Sequence, residues 1–190
     1  MSALRFDLRQ IPPQPWKNGA GLTREIAFGG TNSTDFDWRV SVAEVARDAP
    51  FSSFPGVDRC ITLLSGAGMR LRADDGSIDH ALTTSLAPFR FAGEISLTAT
   101  LIGGACSDFN VMTRRGGCRS EVEVNRAAAV LPDADVTLLL CAAGEWVVGT
   151  EMLAPEQGLL WRTPRAVIGV RPAGENGALL VVRLCHDRTP

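Results

Sequence analysis

The side chains here that could do chemistry are cations and acids set among glycines, prolines and aromatic rings. Lys17 is the single lysine beside eighteen arginines and lies in PWKNGAGLTREIA, residues 15–27. An ammonium is a compact, flexible donor and a guanidinium a broad planar fork, so a lone lysine against an arginine background fits a tight pocket. The plain alternative is a solvated surface lysine. Arg39 and Ser41 stand in FDWRVSVAEV, Phe51, Phe54 and Arg59 in FSSFPGVDR, and Asp108, Asn110 and Arg114 in DFNVMTRR. Arginine grips a carboxylate with two parallel hydrogen bonds. Several buried cations need acidic partners, because burying them alone is too costly. The expected chemistry is therefore recognition of a small-molecule carboxylate. Arg59 is its anchor, Lys17, Asn18 and Arg39 are further donors, and Phe51 and Phe54 are walls. Glu25 and Asp108 are the balancing acids, able to accept from a ligand amide N–H, and Thr23, Ser41, Asn110 and Arg114 complete the polar faces.

These residues must be positioned by strands. WRVSVAEV, CITLLSG, GMRLRADDG, SLTATLIGG and SEVEVNR alternate or run apolar and then meet turn residues, and DVTLLLCAAG, GLLWRT, AVIGVRP and ALLVVRL repeat the rhythm. Such spacing suits a sandwich or barrel. SVAEVARDA is the one weak helix candidate, and its β-branched valines favour extension. With period two, Thr23 and Glu25 share a face, as do Arg39, Ser41 and Ala43, and Asp108, Asn110, Met112 and Arg114. In a nearly closed barrel such a polar row lines a pocket, and in an open sheet it is the wet side. An edge strand with Glu25 in water, and an Asp58–Arg59 contact that merely pins a turn, are the plain alternatives. RRGGCRS, residues 114–120, divides a motif-rich part from a mostly apolar one. Two β-barrel halves, residues 1–115 and 116–190, explain this division, with any duplication too old to leave an exact repeat.

Composition narrows the classes further. A 190-residue chain that is 45% hydrophobic can bury a sizeable core. A net charge of −2 with scattered arginines leaves no footprint for nucleic acid or an anionic membrane. The opening MSALRFDLRQIPPQPW has no apolar leader run, and five widely spaced cysteines do not form a disulfide framework. A cytoplasmic protein is expected, with homodimerisation left open. The two histidines, His80 in the turn-like DGSIDHAL and His186 in the tail LCHDRTP, are poorly placed for a shared metal. No metal and no cofactor is expected. There is no nucleophile elbow, phosphate-cradling loop or paired-cysteine metal signature.

PWKNGAGLTREIA, FDWRVSVAEV, FSSFPGVDR, LLSGAGMRL and DFNVMTRR, in this order, resemble the HutD family, also called the Ves family, of histidine-utilisation accessory proteins. The resemblance is close over residues 15 to about 115 and rests on length and strand pattern beyond. Ala20 stands where the family often has a third glycine, and Asp48-Ala49-Pro50 replaces a commoner glycine. The resemblance implies an all-β bicupin: two jelly-roll-like β-barrel modules packed in one chain, the C-terminal one degenerate. It also implies a pocket for an intermediate of histidine breakdown such as N-formylglutamate, with no generally accepted enzymatic activity. Three functions follow in order. The first is an accessory or regulatory binding protein. The second is a metal-independent isomerase, lyase or hydrolase using Lys17 and Glu25 for proton transfer. The third is an interaction module docking through Phe51 and Phe54.

Overall fold

The computed structural model describes residues 3–163 and 167–187. The alternating segments fold as strands: β1 (Leu4–Asp7), β2 (Gln14–Pro15), β3 (Gly21–Gly30), β4 (Phe36–Val45), β5 (Ala49–Pro50), β6 (Val57–Ser65), β7 (Met69–Ala73), β8 (Asp79–Leu82), β9 (Pro88–Ala92), β10 (Leu97–Leu101) and β11 (Cys106–Arg114). They continue as β12 (Cys118–Asn125), β13 (Ala129–Leu131), β14 (Val136–Ala143), β15 (Trp146–Val148), β16 (Glu151–Leu153), β17 (Gln157–Trp161), β18 (Ile168–Pro172) and β19 (Ala178–His186). Among the described residues the only helix is a 3-10 turn at Leu8–Gln10. In SVAEVARDA, Ser41–Val45 completes β4 and Ala49 opens β5, the extension that its valines favour. No helix of the described residues is long and apolar enough to cross a membrane.

The chain divides into two compact units. One is Pro12–Gly117, and the other joins the residues up to Ile11 with those from Cys118 onward. The division near residue 115 thus falls at Gly117, and the expected assignment of the first residues is corrected. β1 pairs antiparallel with β17, from Leu4↔Leu160 to Asp7↔Gln157. Leu8 is buried, and its N–H donates to the Glu156 carbonyl at 2.9 Å.

In the Pro12–Gly117 unit a six-stranded sheet, β2-β3-β4-β11-β6-β9, and a four-stranded sheet, β5-β10-β7-β8, share one core. Val45, Ile61, Leu63 and Phe91 from the first meet Met69, Leu71, Leu82, Leu97 and Ala99 from the second. The other unit has sheets β1-β17-β14-β19-β12 and β13-β18-β15-β16. Its core joins Leu139, Cys141, Leu159, Trp161, Leu179 and Val181 to Trp146, Val148, Leu153, Ile168 and Val170. Each unit is therefore a two-sheet sandwich, with no closed barrel among the described residues. The order β4-β11-β6-β9 with β5-β10-β7-β8 recurs as β12-β19-β14-β17 with β13-β18-β15-β16, every strand number raised by eight. A structural repeat underlies two halves that share no exact sequence repeat.

Candidate functional site

The polar row expected from the sequence lies on the inner face of the six-stranded sheet. Register places Arg39, Met112, Arg59 and Phe91 side by side across β4, β11, β6 and β9. One step along, Glu25, Ser41, Asn110 and Ile61 form the next row across β3, β4, β11 and β6. Thr23, Ala43, Asp108 and Leu63 form the third. Local alternation sets which side chains turn inward, and pairing gathers them into one patch. Ser41, Arg59, Asp108 and Asn110 are all buried. The corresponding inner face of the other unit is apolar at Leu139, Cys141, Leu159, Trp161, Leu179 and Val181, with buried Thr137 and the Arg183 side chain, paired to Glu121 and Glu123, at one end of it. A buried acid and a buried amide beside a buried arginine occur on the inner face of the Pro12–Gly117 unit.

Arg59 is 7% exposed, and its guanidinium carbon lies 5.1 Å from the ring centroids of Phe51 and Phe91 and 5.7 Å from that of Phe54. Rings attract a cation without accepting from its N–H groups. Its Nε is buried with no hydrogen-bond partner. Burial brings its pKa down to about 10, opposed by Asp108 and reinforced by the charge of Arg39, so it remains a cation at neutral pH. The wall is rigid. Val57 N–H donates to the Phe54 carbonyl at 3.2 Å and Gly56 has φ 71°, a reverse turn with Pro55 at its second position and the positive φ of a type II turn at its third. Trp16 meets Phe51 edge to face at 6.5 Å and extends the wall.

The acids play two different parts. Glu25 accepts from Arg39 Nε at 2.7 Å, both side chains less than one-fifth exposed, and this pair neutralises itself. Asp108 is 2% exposed and its Oδ2 has no hydrogen-bond partner, as is also true of Asn110 Oδ1. Burial pushes the Asp108 carboxyl up to about 7, with the Arg59 charge pulling it back. A buried acid, a buried cation and an amide oxygen, all short of partners, can bind a small molecule that carries both an anion and a hydrogen-bond donor.

Several expected residues stand elsewhere. Lys17 is exposed, and its side chain makes no hydrogen bond or ion pair among the described residues, which corrects the inward-pointing lysine. Its loop turns outward because Gly19 has φ 66° and Asn18 Oδ1 accepts from Ala20 N–H at 3.0 Å, closing an Asx turn. The Lys17–Glu25 pair is thus not assembled. Thr23 accepts from Trp16 Nε1 at 2.7 Å and fastens the wall. Arg114 sits at the strand end, donating to the Phe36 carbonyl and to Asp35, both at 3.1 Å. Asp58 accepts from Arg115 at 2.7 Å and does not pin Arg59. Phe51 and Phe54 are half-buried around Arg59, which weakens the docking reading. His80 belongs to strand β8 rather than a turn and stacks on Phe89 at 3.8 Å. His186 ends β19 beside Asp135, Nδ1 to Oδ2 3.5 Å. No three His, Cys, Asp or Glu residues among those described are grouped to hold a metal.

Phe91 was not among the expected site residues, although it is as close to Arg59 as Phe51. The alternation in PFRFA marks it as inward-facing, but only the β6–β9 pairing sets it opposite Arg59.

The HutD family model matches residues 8–179. Protein Ves of Escherichia fergusonii is 38% identical over 157 residues, covering 82% of this chain and 81% of that protein. HutD from Pseudomonas fluorescens SBW25 superposes with a TM-score of 0.88 at 29% identity, covering 98% of this chain and 100% of its own. Protein Ylba from E. coli, 4% identical, superposes over 100% of this chain and 93% of its own with a TM-score of 0.66, a likeness of fold alone. The fold is all-β and cupin-like, and by the family match and the identity to its relatives the chain belongs to the HutD family.

Proposed function

We propose that this protein is a bicupin that binds a small carboxylate in its Pro12–Gly117 module and serves histidine catabolism as an accessory or regulatory protein. The eight-strand repeat supports two jelly-roll modules, the order within each matching two sheets of four strands. The observation that carries the ligand class is Arg59, a buried guanidinium ringed by three phenylalanines with its Nε short of a partner. Its N–H edge suits a bidentate carboxylate. Asp108 and Asn110 suit a ligand N–H nearby, so an N-acylated amino acid such as N-formylglutamate meets both requirements. Cys60, Cys106 and Cys141 are buried thiols that burial pushes up to about 11, inert forms that fit the reducing cytoplasm.

A thermal-shift screen with urocanate, N-formylglutamate, formiminoglutamate and glutamate tests the reading. A ligand at about a hundred times its Kd adds about 2.7 kcal/mol of stability. Arg59→Ala is expected to leave the protein folded and remove that stabilisation, at a loss of about 2 to 5 kcal/mol of binding. Arg59→Lys restores it only in part, because the fork is gone. If Arg59→Ala unfolds the protein while binding per folded molecule persists, Arg59 is structural and the pocket lies elsewhere. A metal-independent enzyme acting on the same metabolites is the second reading. It is favoured by Asp108, whose carboxyl near neutrality suits proton transfer. Turnover of any of the four metabolites, followed by NMR, would select it.

A further inference from the structure

The charges of the polar patch do not balance in every state. Glu25 and Arg39 cancel each other through their 2.7 Å contact. Arg59 and Asp108 remain, both nearly dry, close enough to influence one another yet forming no ion pair. With Asp108 neutral the patch carries one net positive charge, which an arriving carboxylate cancels. With Asp108 ionised the patch is already neutral, and the same carboxylate would leave one buried negative charge uncompensated.

We propose that Asp108 holds a proton whenever a carboxylate is seated on Arg59, so that the site takes up an anion and a proton together. This rests on the carboxylate-binding reading above. The hydrogen-bond inventory points the same way. Asp108 Oδ2 and Asn110 Oδ1 are two acceptors on alternate positions of β11, both buried and both short of a donor. A proton converts Asp108 Oδ2 into a donor for a ligand carbonyl and leaves Asn110 Oδ1 as the acceptor for the ligand N–H. The titratable and charged groups facing Asp108 are few. They are Arg59 on β6, Arg39 on β4, Glu25 on β3 and the Cys106 thiol on its own strand. The opposite sheet presents apolar Met69, Leu71, Leu97 and Ala99. A ligand anion is a new negative charge in this setting, and it favours the protonated acid as any like charge does.

The test is isothermal titration of N-formyl-L-glutamate into the intact protein at about pH 8, in one buffer of low and one of high ionisation enthalpy. The wild type is expected to show heats that differ between buffers by the uptake of close to one proton per ligand. Its apparent Kd should rise about tenfold per pH unit above neutrality, the signature of one linked proton. Asp108→Asn, a neutral isostere, is expected to bind with equal heats in both buffers and with an affinity independent of pH. The buffer comparison is made on the wild type, so a poorly folding variant does not spoil it. Binding with equal heats and no pH dependence in the wild type overturns the proton coupling and leaves carboxylate binding standing. No heat with N-formylglutamate, N-acetylglutamate or formate overturns both.

Discussion

Arg59 keeps its charge in a nearly dry setting because three phenyl rings and one acid stand in for water. Each ring contributes about 0.5 to 2 kcal/mol of attraction, which offsets part of the desolvation cost. Asp108 has only the Arg59 charge against its burial, and its stability linkage follows. Its carboxyl is raised from 3.8 to about 7, so the folded state keeps the proton that the unfolded chain gives up. The contribution is whole below the unfolded value and is lost as pH rises towards 7, levelling off above it. Asp108→Asn is therefore expected to be more stable than the wild type at about pH 8, by on the order of 4 kcal/mol, with the gain vanishing near pH 4. Urea titrations at several pH values measure this, and a constant difference at every pH would refute it. Arg59 was legible in FSSFPGVDR because a charge entering an apolar strand behind a rigid turn demands partners. Lys17 was misread, because rarity of residue type says nothing about which way a loop turns it.

Among the elements, the loop from Trp16 to β3 depends on close approach. A Cβ at Gly21 would stand 2.3 Å from the Glu44 carbonyl oxygen and 3.2 Å from the Trp16 ring. Gly21→Ala is expected to push β3 from β4 and lift Trp16 off Phe51, costing about 1 to 3 kcal/mol as overpacking does. Chemical denaturation gives that cost, and the emission difference between Gly21→Ala made with and without Trp16→Phe isolates the Trp16 signal that reports the lifted wall. An unchanged midpoint would show that the loop yields freely. Period-two alternation revealed which side chains share a face on β4 and β11, since that signal is local, whereas the inward turn of the polar face is set by how the two sheets pack. The β6–β9 and β1–β17 pairings were not legible, because each is fixed by a core assembled from distant segments.

At the scale of the whole molecule, two sandwiches of one strand order divide the labour. One core holds the polar patch, and the other is filled by Trp146, Trp161 and aliphatic side chains. Leu139→Ala, at a fully buried position of that second core, is expected to cost about 2 to 5 kcal/mol of stability. The affinity of the remaining folded molecules for N-formylglutamate should be unchanged. Denaturation and titration calorimetry on the same sample separate the two effects, and a fall in affinity would tie the second core to the site. The pairing of β1 with β17 has a further consequence for synthesis. Every strand partner of the Pro12–Gly117 unit precedes Cys118, so a ribosome has made that entire unit by that point. Arg5 must wait for Gln157, 152 residues later, to make its 2.7 Å bond. At about 5 to 20 residues per second this delay is roughly 8 to 30 s. Throughout it the nascent β1 is an unpaired edge, and its charged Arg5 and Asp7 guard it against pairing with a neighbouring nascent chain.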